Sequence, residues 1–180
     1  MTGARLYASP PDAPVLEDGG ASDFRFGGDK AFSFAPVKVD EILKNNQEIR
    51  LGETVLTTHF TFGHTKGATS WTMDVSENNR TYKVVFASSV TTLDYSLVNN
   101  PKYPRIAEDY ANTFAALKNI KADVFLASHG QFFDLKGKAE KLRAGAKPNP
   151  FIDAAGYQKF VAQMTKTFED KLQAQKAGKK

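Results

Sequence analysis

Three histidines, His59, His64 and His129, are the side chains here able to act as metal ligands or as acid–base groups near neutral pH. The chain has no cysteine, which removes disulfides, thiolate nucleophiles and Cys-based zinc sites together. His64 and His129 share a setting. Each follows a predicted strand and sits in a glycine-containing turn, Phe62-Gly63-His64-Thr65-Lys66-Gly67 and Ala127-Ser128-His129-Gly130. A rigid strand that delivers an imidazole into a loop is what a metal or acid–base site requires. His59 falls inside a predicted strand with no such turn and reads as structural. Two histidines do not complete a zinc site, which takes four protein ligands when structural and three plus a water when catalytic. No HxH, HExxH or Cys pair supplies the rest, and Asp94, Asp109 and Asp134 stand at no diagnostic spacing. Residue types alone therefore point to an incomplete metal site, or to loop histidines hydrogen-bonded to backbone.

The elements that must position these turns are legible from patterning. Arg5 to Ala8 reads as a short strand. Residues 9–36 are rich in Pro, Gly, Asp and Ser and read as a long loop. Its Phe24, Phe26, Phe32 and Phe34 give it something to pack with, so it is expected to be ordered and near a site. Glu48 to Leu51 and Glu53 to Thr61 carry β-branched residues about a tight turn at Gly52. Thr69 to Val75 and Thr81 to Ala87 flank a hairpin connection at residues 76–80. Residues 91–104 form a loop closed by Pro101 and Pro104. Ile106, Tyr110, Phe114 and Leu117 lie on one face of an amphipathic helix. Val124 to Ala127 is a buried strand ending at His129. Asp153 is a plausible N-cap for a terminal helix striped by Tyr157, Phe160, Val161, Met164, Phe168 and Leu172. This order of strands, helix, strand and helix suits a layered α/β protein.

Composition excludes several classes. At 180 residues the chain has the size of one domain, long enough to bury a sizeable core. The formal charge is +4, yet the last ten residues hold four Lys and no acid, so residues 1–170 sum to zero. A neutral body with a basic tail is not an electrostatic footprint for nucleic acid. No apolar run is long enough to cross a membrane, and Met1-Thr2-Gly3-Ala4-Arg5 does not open a signal peptide.

Thr61-Phe62-Gly63-His64-Thr65-Lys66-Gly67 resembles the PGHTPG turn of the class B metallo-β-lactamases, with Phe62 where Pro is common. Thr69-Ser70-Trp71 continues the likeness, and Phe86 to Thr91 resembles the segment whose serines line the site. Asn100-Pro101-Lys102-Tyr103-Pro104-Arg105 and Asn149-Pro150-Phe151-Ile152-Asp153 are similar to stretches of that class's third subclass. Ser128-His129-Gly130 resembles its last ligand-bearing strand end. The resemblance spans essentially the whole chain.

It implies an α/β fold that forms part of the αββα metallo-β-lactamase sandwich and lacks most of the N-terminal sheet. Residues 1–175 would be one domain and 176–180 a basic tail. His64 would bind one zinc and His129 a second; Ser89 and Thr91 would bind substrate, with the 9–36 loop bordering the groove. The implied activity is hydrolysis of β-lactam antibiotics by a zinc-bound hydroxide, a resistance function of the periplasm. The HxHxDH motif that precedes the first strand in the family is not in this sequence, and Ser88 stands where the subclass usually has Asp. The chain is thus expected to be an N-terminally truncated member that holds zinc weakly or not at all and is inactive alone. The alternatives are a non-catalytic remnant or assembly module, or another hydrolase of the superfamily. A sheet robbed of its partner exposes apolar side chains, which predicts a homo-oligomer.

Overall fold

The computed structural model describes residues 3–178. Met1 and Thr2, at the start of the predicted first strand region, and the tail lysines Lys179 and Lys180 lie outside the described residues.

The principal sheet has five strands: β3 (Glu48–Leu51), β4 (Thr54–Phe60), β5 (Thr69–Glu77), β6 (Arg80–Ala87) and β7 (Val124–Ala127), in that spatial order. The first four pair antiparallel, while β7 joins β6 in parallel, with Val85 opposite Phe125. The parallel step needs a crossover, supplied by the helix α2 (Ile106–Asn119). The predicted connection at 76–80 contracts to Asn78-Asn79, both at positive φ (51° and 62°), which lets β5 and β6 pair out to Glu77 and Arg80. Asn tolerates this left-handed conformation, and two such residues give a turn whose twist matches the strands. A second, two-stranded sheet pairs β1 (Tyr7–Ala8) in parallel with β2 (Glu41–Ile42).

Two helical segments depart from the sequence reading. The 9–36 segment is not a plain loop: it holds α1 (Asp12–Glu17) and a 3-10 turn at Lys30–Phe32. Pro14 sits in the first turn of α1, where its missing N–H costs no helix hydrogen bond. Asp18, Asp23 and Asp29 then accept from backbone amides of residues just ahead, ordering the remainder. After His129 come a 3-10 turn (Gly130–Phe133) and α3 (Leu135–Arg143). α3 buries only Lys138, so it has no apolar stripe for periodicity to reveal. The terminal helix α4 (Ala154–Lys176) begins as expected, the Asp153 carboxylate accepting from the Gly156 amide at 2.8 Å.

The two faces of the principal sheet have different fates. One carries Thr72, Val85 and Phe125 in register and packs under α2 and α4. Val85 is 0% and Phe125 1% exposed, and Tyr110, Phe114, Leu117, Tyr157 and Phe168 complete this core. The other carries Thr58, Trp71, Phe86 and Leu126 in register, with Leu56 and Met73 on the same side by alternation. Leu56, Trp71, Met73, Phe86 and Leu126 are only partly buried, and Val84, also on this side, is buried outside the main core cluster. Among the described residues no helix is long and apolar enough to cross a membrane.

Candidate metal and substrate site

Strands β4, β6 and β7 all run in one direction, so their C-terminal ends reach the same edge of the sheet. The segments leaving that edge carry His64, Ser89 with Thr91, and His129. Hydroxyl groups knit the edge together: Thr61 Oγ1 lies 2.9 Å from Ser70 Oγ and 2.8 Å from Ser88 Oγ, and the Ser88 amide donates to Ser70 Oγ. Ser88 is thereby a neutral member of a structural network and offers no carboxylate to a metal. The Ser128 amide donates to the Ala87 carbonyl at 3.1 Å, holding the last strand end beside it.

The His64 turn is fastened from several sides. Gly63 has φ +137°, and a Cβ there would lie 2.7 Å from the Tyr110 ring, so the close approach requires glycine. Thr113 Oγ1 donates to the Phe62 carbonyl at 2.7 Å, and the Tyr95 hydroxyl donates to the His64 carbonyl at 2.9 Å. At the far end Ser9 Oγ donates to the Gly67 carbonyl, and Gly67 packs directly on Asp12 at the start of α1. Burial pushes the Asp12 carboxyl above its ordinary range, partly offset by its bond to Ser9.

His64 Nδ1 lies 2.8 Å from the Thr91 carbonyl. A carbonyl can only accept, so Nδ1 is the donor, and in the neutral ring the lone pair then sits on Nε2, the tautomer a metal ligand needs. Thr91 Oγ1 sits 3.3 Å from the same ring nitrogen and 3.2 Å from Ser89 Oγ. The Tyr110 hydroxyl donates to the Thr91 carbonyl at 2.7 Å; burial raises its phenol well above the usual value, keeping it a donor. His64, Thr91 and Ser89 thus form one hydrogen-bonded chain. Tyr95 and Tyr110, which set its geometry, were not singled out from sequence as site residues. Tyr110 showed only as a member of a helix stripe, and Tyr95 lies in a loop without periodicity.

His129 is held differently. Its ring is exposed and meets the Phe132 edge at 5.2 Å, and its carbonyl accepts from the Phe132 amide. No hydrogen bond joins it to the His64 chain among the described residues. Phe24 and Arg25 of the early segment lie instead beside the His64 turn, with Arg25 paired to Asp94 at 2.7 Å and Phe24 packed edge-on against Tyr95 and Tyr103. His59 lies on the helix-covered face of β4 with Nε2 2.8 Å from Thr72 Oγ1, and burial depresses its pKa. It is a packed strand residue.

The three candidate carboxylates have other work. Asp94 pairs with Arg25, Asp109 accepts from the Tyr103 hydroxyl at 2.7 Å, and Asp134 caps α3 through the Gly137 amide. Among the described residues no group of three or more His, Cys, Asp or Glu side chains could hold a metal ion. The donor set therefore does not fit a complete zinc centre.

A mixed sheet backed by helices on one face, with a fastened histidine turn and hydroxyl side chains at one strand edge, forms one layer of an α/β sandwich. No family model matches the chain. The structure is similar to native FEZ-1 metallo-β-lactamase from Legionella gormanii, with TM-score 0.92 and 38% identity over 97% of this chain and 67% of that one. It is also similar to BJP-1, a subclass B3 metallo-β-lactamase of Bradyrhizobium japonicum (0.86, 36%, 98% and 66%). LRA-12, a class B3 di-zinc metallo-β-lactamase from an Alaskan soil metagenome, matches at 0.84 and 36%, over 94% and 64%. The chain belongs to the metallo-β-lactamase family, with subclass B3 enzymes as its neighbours. It spans about two thirds of the length of these structures.

Proposed function

We propose that this sheet edge is one side of a β-lactam-hydrolysing site, with His64 and His129 each offering one imidazole toward a zinc pair and Ser89 and Thr91 gripping the substrate carboxylate. The observation that carries this is the chain His64–Thr91–Ser89. It occupies Nδ1 of His64, gives Nε2 no partner among the described residues, and gathers two hydroxyls on the Nδ1 side of the ring. Hydroxyls of this kind bind a carboxylate without bringing a competing charge. The family activity is dizinc hydrolysis, at work on this reading in the bacterial periplasm. One imidazole per metal leaves most of the roughly 10–16 kcal/mol of a full zinc site unrealised, so the chain by itself binds zinc weakly and turns over a chromogenic cephalosporin negligibly. Substrate binding is the direct test. Ser89→Ala/Thr91→Ala should weaken binding of a cephalosporin, followed by NMR, about tenfold, the worth of one good hydrogen bond to a charged group. Unchanged affinity contradicts the assignment.

The same reading requires a cover for the open sheet face, and the occupant proposed is a second copy of the chain. A two-fold interface sets a patch against its own copy, which an uncharged patch does without like-charge repulsion. The rows Thr58-Trp71-Phe86-Leu126 and Met73-Val84-Val124 contain no charged side chain. Burying roughly 1,000 Å² of such surface is worth about 25 kcal/mol before association costs. Light scattering after size-exclusion chromatography should report a dimer at micromolar concentration, and a stable monomer contradicts the pairing.

A further inference from the structure

The segment that brings Thr91 to the candidate site runs on to Leu97 as a strap against the C-terminal half of α4. It forms no helix or strand, only a turn in which the Tyr95 amide donates to the Thr92 carbonyl at 3.0 Å. Its backbone is nonetheless fixed residue by residue. Three successive carbonyls are divided between two sides. That of Thr91 accepts from His64 Nδ1 and from the Tyr110 hydroxyl. Those of Thr92 and Leu93 accept from one ammonium, Lys171 Nζ, at 3.2 and 2.6 Å.

Gln175, one turn further along α4, holds the rest of the strap. Its side-chain amide donates to the Tyr95 carbonyl at 3.0 Å, and its oxygen accepts from the Leu97 amide at 2.6 Å. A side-chain amide used in both senses stands in for the backbone of a neighbouring strand. Residues spaced as Lys171 and Gln175 are share one face of a helix. The groups they bind lie 78 to 80 residues earlier in the chain.

The strap needs this hold. Leu93 has φ +42°, a left-handed conformation that a leucine keeps only where its surroundings impose it. Its side chain is 51% exposed, so packing of that side chain is a weak constraint. The firm contact is at its carbonyl, where a charged donor makes a stronger bond than a neutral one would. The far end of the strap acts on the same histidine. Tyr95, whose carbonyl Gln175 holds, donates its hydroxyl to the His64 carbonyl. Thr91 thus meets His64 at the ring and Tyr95 meets it at the backbone.

We propose that Lys171 and Gln175 are positioning residues for the candidate site: through the 92–97 backbone they set the Thr91 carbonyl that fixes the His64 tautomer. This role rests on the reading of His64, Thr91 and Ser89 as one site. It makes the C-terminal helix part of that site's frame as well as a cover for the core.

Nitrogen-15 NMR of the imidazoles, at a pH where the rings are neutral and with no metal or substrate added, tests it. The unaltered chain should hold His64 mainly as the Nδ1–H tautomer. Lys171→Met keeps the aliphatic stem and removes the donors, and Gln175→Met acts near the helix end, outside the core cluster. Each should lower the ratio of Nδ1–H to Nε2–H at His64 about fivefold, the worth of one hydrogen bond, with the His59 and His129 signals in place. Lys166→Met, on the same helix but paired with Asp170 at its surface, should leave the ratio unchanged. A ratio that stays put in Lys171→Met or in Gln175→Met, or that falls as far in Lys166→Met, would overturn the proposal. Because no ligand is present, that result would leave the carboxylate role of Ser89 and Thr91 intact. Unchanged cephalosporin affinity in Ser89→Ala/Thr91→Ala would, conversely, leave this coupling intact.

Discussion

The His64 turn and the His129 turn leave the same edge of one sheet, yet they are built to different standards. The first is fastened by side chains from α1, α2 and the 91–95 segment, at Gly63, Phe62, His64 and Gly67 in turn. The second is fixed by the strand end, one backbone bond and the edge of Phe132. A histidine whose ring nitrogen must present one tautomer needs a partner for the other nitrogen, and of these two only His64 has one among the described residues. The difference teaches that this chain preorganises one imidazole and merely delivers the other. On the proposed zinc reading, His129 is the ligand whose ring orientation the described residues leave unset.

The sharpest way to break the contrast is to unfasten the His64 turn. Gly63→Ala introduces a Cβ against the Tyr110 ring at a φ that side chains rarely adopt. Strain and overpacking together should cost about 3 kcal/mol in chemical denaturation, whereas Gly130→Ala beside His129 meets Leu135 Cδ2 and Cβ at 3.0 and 3.1 Å, with no positive φ to add strain, and should cost under half of that. Equal losses would erase the distinction. A milder probe is Thr113→Val, which keeps shape but leaves the Phe62 carbonyl without its donor. A loss of about 1–2 kcal/mol is expected, together with a changed His64 imidazole signal and an unchanged His129 signal. The smallest effect concerns His59. Burial, with a lesser contribution from Lys83, lowers its folded-state pKa. Its contribution to stability is full above the unfolded value of about 6.5 and is lost as the pH falls from there through the lowered folded value. His59→Gln should flatten that part of the stability–pH curve, and an unaltered slope would place the titrating group elsewhere.

Much of this arrangement was open to reading in the sequence. β-branched, partly alternating runs and a hairpin connection marked β4 to β6, the apolar run Val124 to Ala127 marked β7, and the glycine turns after Thr61 and Ala127 flagged His64 and His129. His59 was read as a strand residue, and it lies within β4 bonded to Thr72. What escaped has physical causes. α3 buries a lysine rather than an apolar stripe, so it carries no helical period. α1 hides behind Pro14, a residue that the first helical turn accepts. The roles of Tyr95, Tyr110 and Thr113 depend on contacts 19 to 51 residues away in sequence, which no local pattern encodes. The early segment makes contacts with Gly67, Asp94 and Tyr95, all far from it in sequence.

The central claim is that His64 and His129 serve one site while His59 does not. It is tested most directly by titrating zinc into the chain and following the three imidazoles by nitrogen-15 NMR. The account predicts that His64 and His129 shift along one common, weak isotherm and that His59 stays still. A response from only one of the pair, or from His59 alongside them, would contradict it.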